Sequence, residues 1–147
     1  MLNILIAEDD TDDLLLFKEA LGEVLPDFNM SHARNGLECL NLLKQNSPEP
    51  DVIFLDISMP LRNGFEVLES IKSEPHLKGV PIIMLSTSDQ MEDVDISYKN
   101  GATLYLVKPS SVKNLAIALK GVFHMLGRPR KEQLDLKNFV VKDDKYK

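Results

Sequence analysis

The chain has 147 residues, 44% of them hydrophobic and 27% charged, which suits one domain with its own core and excludes a chain disordered throughout. Cys39 is the only cysteine, so an intramolecular disulfide is excluded and the usage fits a reducing, cytoplasmic setting. The net charge of −6 divides into 10 basic against 19 acidic residues over 1–127 and 7 against 4 over 128–147; so acidic a body argues against direct DNA binding.

LNILIA (2–7) is the first strand candidate. It has no basic leader region before it and meets acid at Glu8, so it does not read as a signal peptide, and no apolar run approaches the roughly 20 residues that cross a bilayer. A helix follows with Leu14, Phe17, Leu21 and Val24 on one face. FNMSHA (28–33) is a weaker second strand, and the next helix carries Leu37, Leu40 and Leu43. DVIFL (51–55) is the third strand, followed by a helix marked by Phe65, Leu68 and Ile71. PIIML (81–85) is the fourth, leading to a helix around Met91 to Lys99. TLYLV (103–107) is the fifth, before a last helix through Leu115, Leu119, Val122 and Leu126.

The punctuation agrees with this parse. Asn35-Gly-Leu-Glu38 and Asn63-Gly-Phe-Glu66 each place a cap residue three positions before a glutamate. Asn100-Gly101 closes the fourth helix, Gly127 and Pro129 close the fifth, and a mostly polar, net-basic tail spans 127–147 with Phe139, Val140 and Val141 as its apolar part. Five β-α units with continuous apolar strands predict an α/β, doubly wound three-layer sandwich with a five-stranded parallel sheet. In such folds ligands sit beyond the carboxyl ends of the strands, where strand order reverses.

Those ends carry chemistry. Strand one ends in Glu8, Asp9 and Asp10, strand three in Asp56, strand four in Ser86-Thr87-Ser88, and strand five in Lys108-Pro109. In the order 2-1-3-4-5 the carboxylates of Glu8, Asp9 and Asp56 converge, with Ser86 and Lys108 beside them. Carboxylates crowded in one pocket repel, and a hard divalent cation such as Mg²⁺ relieves the repulsion. A lysine and a hydroxyl suit phosphoryl oxygens, and an aspartate is a competent nucleophile toward phosphorus. The local alternatives are a helix-favouring acidic run, an N-cap at Thr87 or Ser88, and a capping role for Asp10.

At ILIAEDD, LDISMP, IIMLST and YLVKP the sequence resembles the receiver domain of two-component response regulators, over residues 1–126. The resemblance implies that Asp56 accepts a phosphoryl group from a sensor histidine kinase or phosphotransfer protein. It implies Mg²⁺ held by Asp9, Asp56, the Ser58 backbone carbonyl and, through water, Glu8. Ser86 and Lys108 would contact the phosphoryl oxygens, Tyr105 would turn inward as Ser86 moves toward them, and the Lys108–Pro109 peptide would be cis. The output would be a rearranged surface of helix four, strand five and helix five, binding a downstream protein target or a second copy as a homodimer. No effector domain fits in the tail, and EDDTDDLLLFKEAL with that tail is similar to stand-alone, cytoplasmic regulators paired with bacterial phytochromes and related kinases. Such a protein is no enzyme beyond gaining and losing its own phosphoryl group. A Mg²⁺-dependent phosphohydrolase would carry a second aspartate two residues after the nucleophile, where Ser58 stands; a receiver-like scaffold that is never phosphorylated is the other alternative.

Overall fold

The computed structural model describes residues 1–45, 49–127 and 136–142. In chain order the elements are β1 (Leu2–Ala7), α1 (Thr11–Val24), β2 (Phe28–Ala33), α2 (Gly36–Lys44), β3 (Val52–Asp56), α3 (Gly64–Lys72), a 3-10 turn (Pro75–Leu77), β4 (Ile82–Ser86), α4 (Met91–Lys99), β5 (Leu104–Val107), α5 (Val112–Leu126), α6 (Leu136–Phe139) and β6 (Val140–Val141). The sheet is parallel throughout, in the order β2-β1-β3-β4-β5-β6. The expected order 2-1-3-4-5 therefore holds, with one correction. The sheet has six strands, because Val140 and Val141 pair with Tyr105 and Leu106. Residues 128–135 and 143–147 of the tail, with Pro129 among them, lie outside the described residues.

Side-chain alternation divides the core into two layers. Ile4, Ile6, Phe54, Ile83, Leu85 and Leu106 face α1 and α5, where Phe17 meets Phe54 edge-on at 4.8 Å between centroids. Leu5, Ala7, Ile53, Leu55 and Met84 face the other way, against Cys39 of α2, Val67, Leu68 and Ile71 of α3 and Val94 of α4. On α2 the expected leucine stripe is displaced. Cys39 is the buried centre, Leu40 and Leu43 flank it, and Leu37 is exposed, because α2 packs through Gly36 and Cys39.

Both Asn-Gly-x-Glu segments do cap helices. Asn63 accepts from the Glu66 amide at 3.0 Å while Glu66 accepts from the Asn63 amide at 3.1 Å, a complete reciprocal box. Asn35 accepts from the Glu38 amide at 2.7 Å. The glycines have a further cause. A Cβ on Gly36 would lie 2.0 Å from the Arg62 carbonyl oxygen, and one on Gly64 would lie 2.5 Å from the Asp56 carbonyl oxygen, so both positions need a bare backbone. Gly101 ends α4 at φ +89°, as the Asn-Gly pair predicts.

Candidate functional site

Register explains the convergence. Ala7 pairs with Leu55, Asp56 with Leu85, and Ser86 with Val107, so Glu8 stands level with Asp56 while Ser86 and Lys108 follow one and two residues further along, all at the sheet's carboxyl edge. The strand hydrogen bonds continue past the side chains: Ile57 N donates to Leu85 O at 3.0 Å and Lys108 N to Ser86 O at 2.8 Å. Asp10 caps α1, accepting from the Asp13 amide at 3.0 Å.

Lys108 is the hub. Its ammonium donates to Glu8 Oε1 at 2.6 Å and to Asp56 Oδ2 at 2.8 Å, with Asp13 Oδ2 at 3.5 Å on the solvent side. Asp56 Oδ1 accepts from the Ser58 amide at 3.0 Å, and Glu8 Oε2 accepts from the Asp10 amide at 3.3 Å. Glu8 and Asp56 are both buried. Burial, followed by the hydrogen bond and charge of Asp56, pushes the Glu8 carboxyl up to about 8, against the pull of Lys108. Burial alone would lower the Lys108 ammonium, but Asp56 and Glu8 outweigh it, and its pKa lies above the ordinary lysine value. Two buried carboxylates thus compete for one cation.

Oxygens of Glu8, Asp9 and Asp56 lie within 4.8 Å of one another, and Asp9 is exposed. Even with Glu8 protonated, the Asp9 and Asp56 carboxylates outnumber the one ammonium, and an all-oxygen donor set suits a hard divalent ion. The residues present therefore fit such a metal.

Other expectations resolve individually. Ser58 reaches Asp56 through its amide; its carbonyl as a metal ligand rests on the resemblance. Ser86 Oγ accepts from the Ser88 amide at 3.0 Å. Tyr105 is fully buried and donates its hydroxyl to the Ser88 carbonyl at 2.7 Å. The Lys108–Pro109 peptide is trans, since no cis bond occurs among the described residues. This corrects the cis expectation: an X-Pro amide prefers trans by about 0.5–1 kcal/mol, and Lys108 reaches both carboxylates without the inversion. Neither Thr87 nor Ser88 caps α4. The N-cap is Gln90, without a side-chain bond, and Ser88 Oγ instead accepts from the Gln90 amide at 3.1 Å.

The family model for the response regulator receiver domain matches residues 4–120. This chain belongs to that family. Among its relatives, response regulator Rcp1 of Synechocystis sp. is 36% identical over 124 residues, covering 81% of this receiver and 84% of Rcp1. A crystal structure of the Mn²⁺-bound form of Rcp1 superposes with a TM-score of 0.77 at 33% identity, covering 89% of this receiver and 98% of that chain. A structure of the phosphorylated cyanobacterial phytochrome response regulator RcpA gives a TM-score of 0.79 at 33% identity, over 87% and 96%.

Three contributors to the receiver's site carry no motif of their own. His32, at the end of β2, lies 2.7 Å from the Glu8 carbonyl through Nε2; because a carbonyl only accepts, Nε2 carries the hydrogen. Gly64 lets α3 start directly against the Asp56 backbone. Asp13 comes to Lys108 because the Asp10 cap turns the first helical turn toward it. Among the described residues no helix is long and apolar enough to cross a membrane.

Proposed function

We propose that this receiver carries a phosphoryl signal on Asp56. The observation that carries the reading is Lys108, which holds a buried Asp56 carboxylate and Glu8 together at the end of a sheet in a chain of this family. An Asp56 oxygen attacks the phosphorus of a phosphohistidine on a sensor histidine kinase or phosphotransfer protein. The new P–O bond forms as the P–N bond breaks, and the imidazole nitrogen keeps the bonding pair. Lys108 orients the carboxylate beforehand and afterwards faces a phosphoryl oxygen; Ser86 supplies a hydroxyl to another. Asp9, Asp56, the Ser58 carbonyl and, through water, Glu8 would hold Mg²⁺, which when bound offsets charge on the transferring group.

Water later attacks the phosphorus, the bond from phosphorus to the Asp56 oxygen breaks, and inorganic phosphate leaves the carboxylate restored. The chain turns over no external substrate, since the acid–base position two residues beyond Asp56 is Ser58. It works in the cytoplasm, and its output is contact with a downstream protein, or with a second copy, through α4, β5 and α5. Mass spectrometry after incubation with acetyl phosphate and Mg²⁺ tests the assignment. Wild type gains one phosphoryl group and Asp56→Asn gains none; equal labelling of the two rejects Asp56 as the acceptor.

A further inference from the structure

The face assigned to output already has an occupant. Phe139 is fully buried, edge-on to Tyr98 at 5.1 Å between centroids and tilted against Tyr105 at 6.4 Å. Val140 and Val141 extend the sheet beside Tyr105 and Leu106, and Val141 is fully buried. Lys142 then reaches Asp89 at 2.8 Å, in the loop that follows Ser86, Thr87 and Ser88.

These contacts form one connected path to the phosphoryl site. Phe139 packs on Tyr105, the Tyr105 hydroxyl bonds Ser88 O, the Ser88 amide bonds Ser86 Oγ, and Ser86 follows Leu85, the register partner of Asp56. The Lys142–Asp89 pair ties the far end of the segment to the same loop, and it holds the Asp89 carboxyl below its ordinary range. A Tyr105 ring turned toward solvent would enter the space that Phe139 and Val140 fill. The docked segment and an outward Tyr105 therefore exclude one another.

We propose that Leu136–Lys142 is a built-in ligand of the β5 edge, seated in cis, and that its docking and the phosphorylation of Asp56 favour the same inward state of Tyr105. The proposal rests on the reading of Asp56 as phosphoacceptor. Linkage makes the coupling reciprocal: the docked segment strengthens binding at Asp56, and a group bound there tightens the segment. A partner that adds a strand to β5 must displace the segment. It must therefore offer comparable chemistry, an aromatic residue, two β-branched residues and a cation.

The experiment is a titration of the full chain with beryllofluoride and Mg²⁺, followed by fluorine NMR, alongside hydrogen exchange of the Val140 and Val141 amides. Phe139→Ala should weaken beryllofluoride binding by about 5–20-fold. Lys142→Glu should weaken it less, with recovery when Asp89→Lys is added. Beryllofluoride should slow wild-type exchange at Val140 and Val141. Lys142→Glu and its rescue decide the matter if Phe139→Ala does not fold. Binding unchanged in both variants, or exchange that stays constant or quickens on loading, overturns the proposal. Protection that rises with protein concentration overturns it too, since the occupant is then a second copy's segment. If wild type binds no beryllofluoride, the Asp56 reading falls and takes this proposal with it; if wild type binds and the variants match it, the coupling alone falls.

Discussion

At the strand ends two buried carboxylates share one ammonium, whereas at the outer edge of β5 Phe139 and Val140 close over a tyrosine and Val141 fills the opposite layer, with one ion pair at the rim. The first region has its groups close together at an electrostatic cost, and Lys108 is what makes the cluster tolerable. The second is satisfied by dry packing and sheet hydrogen bonds, so its charges are peripheral. A region arranged at a cost responds strongly to an added cation or phosphoryl group. A region already satisfied has no charge deficit for either to fill.

Removing the hub should give the largest effect. Lys108→Met keeps the stem but leaves Glu8 and Asp56 buried without a cation, and the metal-free domain should lose about 3 kcal/mol in urea unfolding with chelator present. Mg²⁺ should restore much of that loss, because it brings the positive charge back. An unchanged urea midpoint would mean that the carboxylates do not strain the fold, and the contrast between the two regions would collapse.

The two regions should also respond to pH with opposite sign. The folded protein keeps a proton on Glu8 up to about pH 8, while the unfolded chain releases it near the ordinary value of 4.5. Between those limits the folded state binds more protons, so this stabilisation is present on the acid side and fades as pH rises. Asp89 is shifted the other way by Lys142: its contribution is present above its unfolded value of 3.8 and is lost as pH falls below that. Without metal, the melting temperature should drop by on the order of 5 °C from pH 5 to pH 8. Glu8→Gln or saturating Mg²⁺ should flatten the profile. A melting temperature that climbs through this window would contradict the raised Glu8.

The contrast also explains what the sequence disclosed. The convergence of Glu8, Asp9, Asp56, Ser86 and Lys108 is legible because each ends a continuous apolar strand or lies within two residues of its end, and parallel pairing fixes which strand ends are neighbours. The caps at Asn35 and Asn63 were legible for a similarly local reason. The sixth strand was not. Phe139, Val140 and Val141 make an apolar run too short to carry a period, inside a tail whose composition is polar, and only the unfilled edge of β5 gives them a place. His32 and Gly64 act through a carbonyl contact and a missing Cβ, which no residue pattern encodes. The Thr87/Ser88 cap fails because the loop turns at Ser88–Gln90, so α4 starts only at Met91, behind a Gln90 N-cap that makes no side-chain bond.

The smallest predicted effect tests whether the β5 edge is separable from the body. Val141→Thr keeps the β-branched shape and strand preference but puts a hydroxyl beside Leu106, in the apolar layer that also holds Leu119 and Val122. Burying that hydroxyl unpaired should cost about 1 kcal/mol, and undocking of the segment offers a way to avoid it. The cost should therefore appear as faster amide exchange at residues 140 and 141, with the urea midpoint of the body unmoved. A matching fall in the whole-domain midpoint would make β6 as integral as β4. Tyr105 would then be sealed by the fold itself, and the edge could serve a partner only by partial unfolding.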